Sequence, residues 1–256
     1  MFDTHAHVHV SAFDEDRDAM LGRAAAAGLT RIMTIGTDLA DSARARDVAL
    51  AHDLDYAIGI HPHEATDAPS DIAAAFDALV AGAARSPRAI GEMGLDYYYD
   101  HSPRDAQRTL LQNQLRYALD RDYPAVFHQR DAFDDFVSTL REEASSGLRG
   151  VVHCFTGDAE QARLLVGEFG LALGIGGVVT FKTADNVREA VRTVGLDAIV
   201  LETDCPYLAP IPHRGKRNEP AFMSRTAAYL ASLFELDEAL VIARTTANAQ
   251  ALFGAR

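Results

Sequence analysis

The feature that most constrains this chain is a rhythm. Short apolar runs at 2–7, 31–35, 56–60, 88–91, 124–127, 150–152, 171–174 and 198–201 alternate with longer helical runs at 14–27, 41–52, 70–84, 104–121, 131–144, 158–169 and 184–194. Two final helical runs, 220–233 and 236–253, follow the eighth strand. The units recur at about 30 residues, within the range of a βα repeat. Apolar strands alternating with helices predict a parallel sheet covered by helices. Eight such units in 256 residues predict an α/β chain, a single (β/α)8 TIM-type barrel domain over 1–256. The alternative is an open, doubly wound sheet. No Gly-x-Gly-x-x-Gly follows the first strand, which argues against a dinucleotide fold. The Pro-rich stretch 205–220 reads as a long loop over one end of the barrel.

In such a barrel the chemistry sits where strands end and βα loops begin. Those positions carry His5 and His7 after strand one, His61 and His63 after strand three, and Glu92 after strand four. They carry His128 after strand five, His153 after strand six and Asp204 after strand eight. In an extended chain residues i and i+2 point to one side, so His5 and His7 can aim at one ion. A lone His-x-His carries little information; its recurrence with other imidazoles and carboxylates at equivalent positions carries much more.

Imidazole and carboxylate suit zinc-like and manganese-like ions. His5, His7, Glu92, His128, His153 and Asp204 are too many ligands for one tetrahedral ion. They suit two divalent ions (Mg2+, Mn2+ or Zn2+) bridged by Glu92, whose strand lies between the two ligand groups. The expected partition puts His5, His7, Glu92 and Asp204 on one ion, and Glu92, His128 and His153 on the other. A two-metal centre acidifies and orients a water and stabilises a leaving oxygen. Asp204 is the expected general base, and Asp204 and Glu92 are the candidate catalytic carboxylates. Such chemistry hydrolyses phosphodiesters, esters or amides. A carbamylated-lysine bridge is disfavoured, because the strand-four and strand-five positions hold Glu92 and His128 rather than lysine.

The chain resembles the TatD family of metal-dependent hydrolases, within the amidohydrolase-like barrels. The resemblance rests on Phe2-Asp-Thr-His-Ala-His7, Gly59-Ile-His-Pro-His63, Ile90-Gly-Glu-Met-Gly-Leu-Asp-Tyr-Tyr98 and Phe127-His-Gln-Arg130. It continues through Val152-His-Cys-Phe-Thr-Gly157, Gly177-Val-Val-Thr-Phe-Lys182, Leu201-Glu-Thr-Asp-Cys-Pro-Tyr-Leu208, Arg214-Gly-Lys-Arg-Asn-Glu-Pro220 and Thr245-Thr-Ala-Asn248. The resemblance implies a deoxyribonuclease that removes nucleotides from 3′ ends of single-stranded or frayed DNA. It also implies that His63 and Arg130 contact substrate phosphate beside the metals. His9 stands where the family commonly has Asp, and Ala6 where Cys is common. His9 is expected to face solvent.

Composition limits the partners. The net charge of -13 disfavours broad attraction to nucleic acid or anionic membrane, and mildly favours the alternative, hydrolysis of an ester or amide in an acyl-tRNA or small metabolite. A third reading, a non-catalytic scaffold, would not need every ligand kept. Only two lysines occur, Lys182 and Lys216. The basic cluster Arg214, Lys216 and Arg217 can hold a DNA strand, with Lys216 as the substrate contact, or can be a loop salt-bridged to Glu219 or Glu202. Arg130 can clamp phosphate or pair with Asp131 or Asp134. Tyr97, Tyr98 and Tyr99 can stack on a base or pack in the core. Glu202 is a candidate support for a ligand histidine. Cys154 and Cys205 are the only cysteines, both read as buried packing, and a reduced cytoplasmic setting is expected. No basic start with an apolar run suggests a signal peptide, and a monomer with no membrane partner is expected.

Overall fold

A computed structural model describes residues 1–144 and 147–254. Its elements run β1 (Phe2–Ala6), α1 (Arg17–Ala26), β2 (Arg31–Ile35), α2 (Leu39–Ala51), β3 (Asp55–Ile58), α3 (Ile72–Val80), β4 (Ala89–Asp96) and α4 (Arg104–Asp120). They continue with β5 (Ala125–Arg130), α5 (Phe133–Glu143), β6 (Gly150–Val152), α6 (Ala159–Phe169), β7 (Ala172–Ile175), α7 (Asp185–Val194), β8 (Ile199–Leu201), α8 (Met223–Phe234) and α9 (Glu238–Phe253). The strands follow the chain order in one eight-stranded parallel sheet. This is the (β/α)8 class that the rhythm predicts. Among the described residues no helix is long and apolar enough to cross a membrane.

The chain falls into two compact units: residues 1–34 with 153–256, and residues 35–152. In the first, β1 pairs with β2 and β7 with β8. β1 is buried throughout although it carries Asp3, Thr4 and His5. Its polar groups are matched: the Thr4 hydroxyl donates to the Leu201 carbonyl at 3.0 Å, and Asp3 accepts from the Thr203 hydroxyl at 2.6 Å and its amide at 3.0 Å. Buried polar groups persist only when paired in this way. α6 starts where the Asp158 carboxylate accepts from the Glu160 and Gln161 amides and stops at Gly170, φ 65°, the usual cap chemistry at both ends.

In the second unit β3, β4, β5 and β6 pair in sequence. The strands at 88–91 and 124–127 were expected to stop before Glu92 and His128. Instead β4 runs eight residues to Asp96 and β5 runs to Arg130, paired as Gly94 with His128 and Asp96 with Arg130. Two glycines at positive φ, Gly91 (144°) and Gly94 (155°), let β4 approach β5 where a side chain would not fit. A Cβ at Gly94 would collide with the His128 carbonyl. Glu92 and His128 therefore project from continuing strands and not from loops.

α4 shapes the same region with two buried glutamines. The Gln114 amide accepts from the Ile60 amide and donates to the Ile60 carbonyl, both at 2.8 Å. Gln107 accepts from the Asp96 amide at 2.9 Å and donates to the Asp96 and Ser102 carbonyls at 3.2 and 2.8 Å. These bonds fix the backbone just before His61 and at Asp96.

Candidate metal centres

In the first unit β1 ends in His5, which is fully buried, and His7, which is 6% exposed. Their Nε2 atoms stand 3.3 Å apart. Asp204 Oδ1 lies 3.4 Å from His7 Nε2 and 3.9 Å from His5 Nε2. Ligands about 2.1 Å from a tetrahedral ion are separated by about 3.4 Å. The donor set and its spacing thus fit a divalent ion. Backbone bonds hold the set in place: His7 donates to the Cys205 carbonyl and Asp204 to the His5 carbonyl, both at 2.8 Å. Asp204 sits at φ 56°, a conformation uncommon outside glycine that concentrates at functional sites. Burial pushes its carboxyl up, but the His7 hydrogen bond and the charges of His153 and His5 outweigh it and hold the group below the usual carboxylate range.

His153 stacks on His5, with ring centroids 3.9 Å apart at 14°. Glu202 is fully buried, and its Oε1 lies 3.8 Å from His153 Nδ1 and accepts from the Cys154 amide at 2.5 Å. Glu202 Oε2 has no hydrogen-bond partner among the described residues. Burial, only partly opposed by His153, raises the Glu202 carboxyl to about 8. His5, His153 and Glu202 each offer a ligand atom within 4.8 Å of the others. An orphaned buried carboxylate oxygen beside two imidazoles again suits a cation. Glu202 therefore lies beside His153, as a support for it would. Asp3, also fully buried, is raised to about 7 by burial against the opposing bonds from Thr203 and His5.

The second unit builds a different cluster. Glu92 Oε1 lies 2.9 Å from His128 Nδ1 and 3.5 Å from His61 Nε2. Asp96 Oδ2 takes His63 Nε2 at 3.0 Å and His128 Nε2 at 3.1 Å. His128 is thus gripped at both ring nitrogens by carboxylates. Asp96 Oδ1 accepts the Tyr98 and Tyr99 amides at 3.0 and 2.9 Å. Burial opposes ionisation of Asp96, but His128, the Tyr99 amide and His63 together drive its carboxyl well below the usual range. Glu92, His61 and His128 also offer ligand atoms within 4.8 Å of one another.

The structure separates the remaining candidates. Arg130 makes no ion pair with Asp131 or Asp134 among the described residues. Its guanidinium lies over the rings of Tyr98 and Tyr99, 4.0 and 4.8 Å from their centroids. The basic loop divides. Arg217 clamps Asp16 through two bonds of 2.8 and 2.7 Å, and Arg214 lies over Phe181. Lys216 is exposed. Glu219 is held by Arg23, not by the loop. Tyr97 donates to Asp135, whereas Tyr98 and Tyr99 are half-exposed. His9 does not face solvent: it is fully buried with Nδ1 2.7 Å from the hydroxyl of Thr34 on β2. Cys154 is half-buried in a turn at φ 45° and not on a strand, since β6 stops at Val152. Cys205 is buried, and burial raises its thiol well above the ordinary range.

The sequence places His61 at a strand end without assigning it to the ligands, although His61-Pro62-His63 repeats the His-x-His spacing of the first strand. Asp96 reads from the sequence as a residue that orients a loop or a water and is not catalytic; it does hold the tyrosine loop, and its grip on His63 and His128 depends on β4 continuing four residues past Glu92.

A family model described as TatD related DNase matches residues 2–254. The uncharacterized metal-dependent hydrolase YabD of Bacillus subtilis is 40% identical over 254 residues, which cover 99% of this chain and 98% of that protein. The 3′-5′ ssDNA/RNA exonuclease TatD of Cronobacter sakazakii is 36% identical over 260 residues, covering 99% of this chain and 97% of that protein. The crystal structure of YJJV, a TatD homolog from Escherichia coli K12, superposes with a TM-score of 0.92 at 29% identity, over 100% of this chain and 98% of that one.

Proposed function

Because the chain belongs to the TatD related DNase family and is a metal-dependent hydrolase of that family, we propose that it is a 3′–5′ exonuclease acting on single-stranded or frayed DNA ends. The observation that carries the reading is the convergence of His5 Nε2, His7 Nε2 and Asp204 Oδ1 at separations of 3.3–3.9 Å, which are ligand-to-ligand distances in a metal site. Relatives named as TatD exonucleases, matched over nearly the whole chain, supply the substrate class.

In this reading His5, His7, Glu92, His128, His153 and Asp204 would hold two divalent ions. Bound ions supply an acidified water and positive charge at the leaving oxygen. Asp204, whose carboxyl is held below the usual range, would accept the water's proton. Asp96 fixes the ring of His128 through Nε2, so its orientation is set before substrate arrives, and Nδ1, 2.9 Å from Glu92 Oε1, would be the nitrogen that faces the ion. His63, Arg130 and Lys216 contact substrate phosphate.

Incubating the protein with Mg2+ or Mn2+ and 5′-labelled single-stranded DNA gives stepwise shortening from the 3′ end, and His128→Ala does not. No shortening by protein shown to carry metal overturns the reading. The net charge of -13 mildly favours a second one, hydrolysis of an ester or amide in an acyl-tRNA or a small metabolite. Arg130→Ala separates them: selective loss of phosphodiester cleavage supports the nuclease, and ester turnover that is indifferent to Arg130 supports the alternative.

A further inference from the structure

The proposed mechanism leaves two of the three tyrosines that follow Asp96, Tyr98 and Tyr99, without a role. Tyr98 and Tyr99 are 58% and 50% exposed, yet they are not loose. Both backbone amides are tied to Asp96 Oδ1, and the two rings meet edge to face at 4.9 Å and 89°. The Tyr99 ring lies nearly parallel to His101, at 5.5 Å and 11°, and His63 meets Tyr99 edge-on at 5.5 Å. The Arg130 guanidinium backs the pair, 4.0 Å from the Tyr98 centroid. Adjacent exposed aromatic rings held by hydrogen bonds beside a cluster of imidazoles and carboxylates offer π-faces to a ligand.

We propose that Tyr98, Tyr99 and His101, backed by Arg130, form a stacking platform for one unpaired nucleobase of the substrate strand. A nucleotide presents a flat π-face and, a few ångströms away, a phosphate. This surface presents the complement: open aromatic faces and a guanidinium with no carboxylate partner among the described residues. The perpendicular arrangement of Tyr98 and Tyr99 lets only one of them lie flat against a given base. Stacking is indifferent to base identity, because every base has a π-face. A duplex keeps its bases stacked on each other, so the platform selects single strands.

The same Asp96 connects the platform to the metal-site histidines. Its Oδ1 holds the tyrosine loop while its Oδ2 holds His63 and His128. The platform is therefore held in register with the cluster through one carboxylate, preorganised before substrate binds. The choice of ligand rests on the nuclease reading.

The test uses fluorescence anisotropy of the whole protein in EDTA, where no cleavage occurs. It compares a labelled oligothymidylate with an abasic deoxyribose-phosphate oligomer of the same length. The wild-type protein binds the base-bearing strand about 5- to 150-fold more tightly, the range expected for one stacked base. Tyr98→Ala with Tyr99→Ala removes that preference, and Tyr98→Phe with Tyr99→Phe keeps it, since the ring and not the hydroxyl is required. An unchanged thermal midpoint in the Phe variant shows that the loop is intact. Equal binding of the two strands by wild type, no binding of the base-bearing strand, or a preference that survives the Ala substitutions overturns the proposal. Base-dependent binding without metal-dependent cleavage would instead overturn only the nuclease reading. Cleavage unaltered by the Ala pair would overturn only the platform.

Discussion

The two clusters of candidate ligand residues are built by different means. In the first unit His5, His7 and Asp204 are carried by chain segments laced together through backbone bonds, His7 to Cys205 and Asp204 to His5. Beneath them Asp3 is buried against Thr203. In the second unit Glu92, His61, His63 and His128 are placed by a glycine-kinked strand and by carboxylates that grip imidazoles. The first cluster depends on strand ends; the second depends on how closely two strands approach. The contrast says which substitutions remove an ion and which disturb the scaffold.

The largest effect is expected from His5→Ala with His7→Ala. Removing two ligands of the first cluster empties it, so metal content falls by about one ion per chain and DNA cleavage falls more than 100-fold, beyond the usual cost of losing a supporting residue. The thermal midpoint moves little in metal-free protein. Elemental analysis checks the count. Unchanged metal content in the double variant would show that the ligands are wrongly partitioned between the two ions.

Gly94→Ala attacks the second cluster through the backbone alone. The new Cβ has no room against the His128 carbonyl, and φ of 155° is a region that side chains rarely adopt. A loss of about 3 kcal/mol in stability is expected, together with weakened binding at His128. Chemical denaturation measures the first and metal titration the second. A variant with wild-type stability would mean that β4 and β5 do not pair as described.

The buried carboxyls also set the response to pH, and they do not share a sign: Asp3 and Glu202 of the first unit are raised, whereas Asp204 of the first unit and Asp96 of the second are depressed. In metal-free protein Asp3 and Glu202 have carboxyls raised to about 7 and about 8 from ordinary values of 3.8 and 4.5. Between those values the folded state binds more protons than the unfolded state, so stability falls as pH rises. Their contribution is fully present below pH about 4 and is lost on the way to pH about 8. Asp96 behaves oppositely: its folded carboxyl is depressed, so its contribution holds above its unfolded value of 3.8 and is lost as pH falls further. Denaturation midpoints across pH 3–8 check this. Asp3→Asn flattens the descent above pH 4, and Asp96→Asn flattens the loss below it. A stability curve that climbs from pH 5 to pH 8 and is unchanged by Asp3→Asn would refute the assignment.

The contrast between the clusters also explains what the sequence made legible. The βα rhythm was readable because each strand is a continuous apolar run, and the order of the eight strands follows from it. His5, His7 and Asp204 were readable because they stand where the apolar runs stop. Strand ends are visible in a sequence; strand continuation past a polar residue is not. β4 runs on through Glu92 to Asp96 only because Gly91 and Gly94 permit a close approach to β5, which no local propensity reports. The roles of Asp96 and the buried Gln107 and Gln114 were hidden for the same reason, since a polar residue on a helix normally reads as a solvated face. His9 was misjudged because a single imidazole after a strand gives no sign that Thr34 waits to bond it.

The smallest expected effects divide the basic loop of the first unit, which the sequence treated as one cluster. Arg217 holds Asp16 and the Ala12 carbonyl, so it ties the loop to the turn before α1. The pair is about one-third exposed and screened by solvent, which limits Arg217→Ala to a small loss of stability with no change in the KM for DNA. Lys216 is exposed and one residue away. If it meets substrate phosphate, Lys216→Ala leaves the thermal midpoint unchanged and raises KM a few-fold at low salt, an effect that shrinks as salt rises because phosphate contacts release counterions. The two neighbours should therefore exchange roles between the two measurements. A KM unaltered by Lys216→Ala at every salt concentration would remove Lys216 from the substrate contacts and leave Arg130 and His63 as the proposed phosphate contacts.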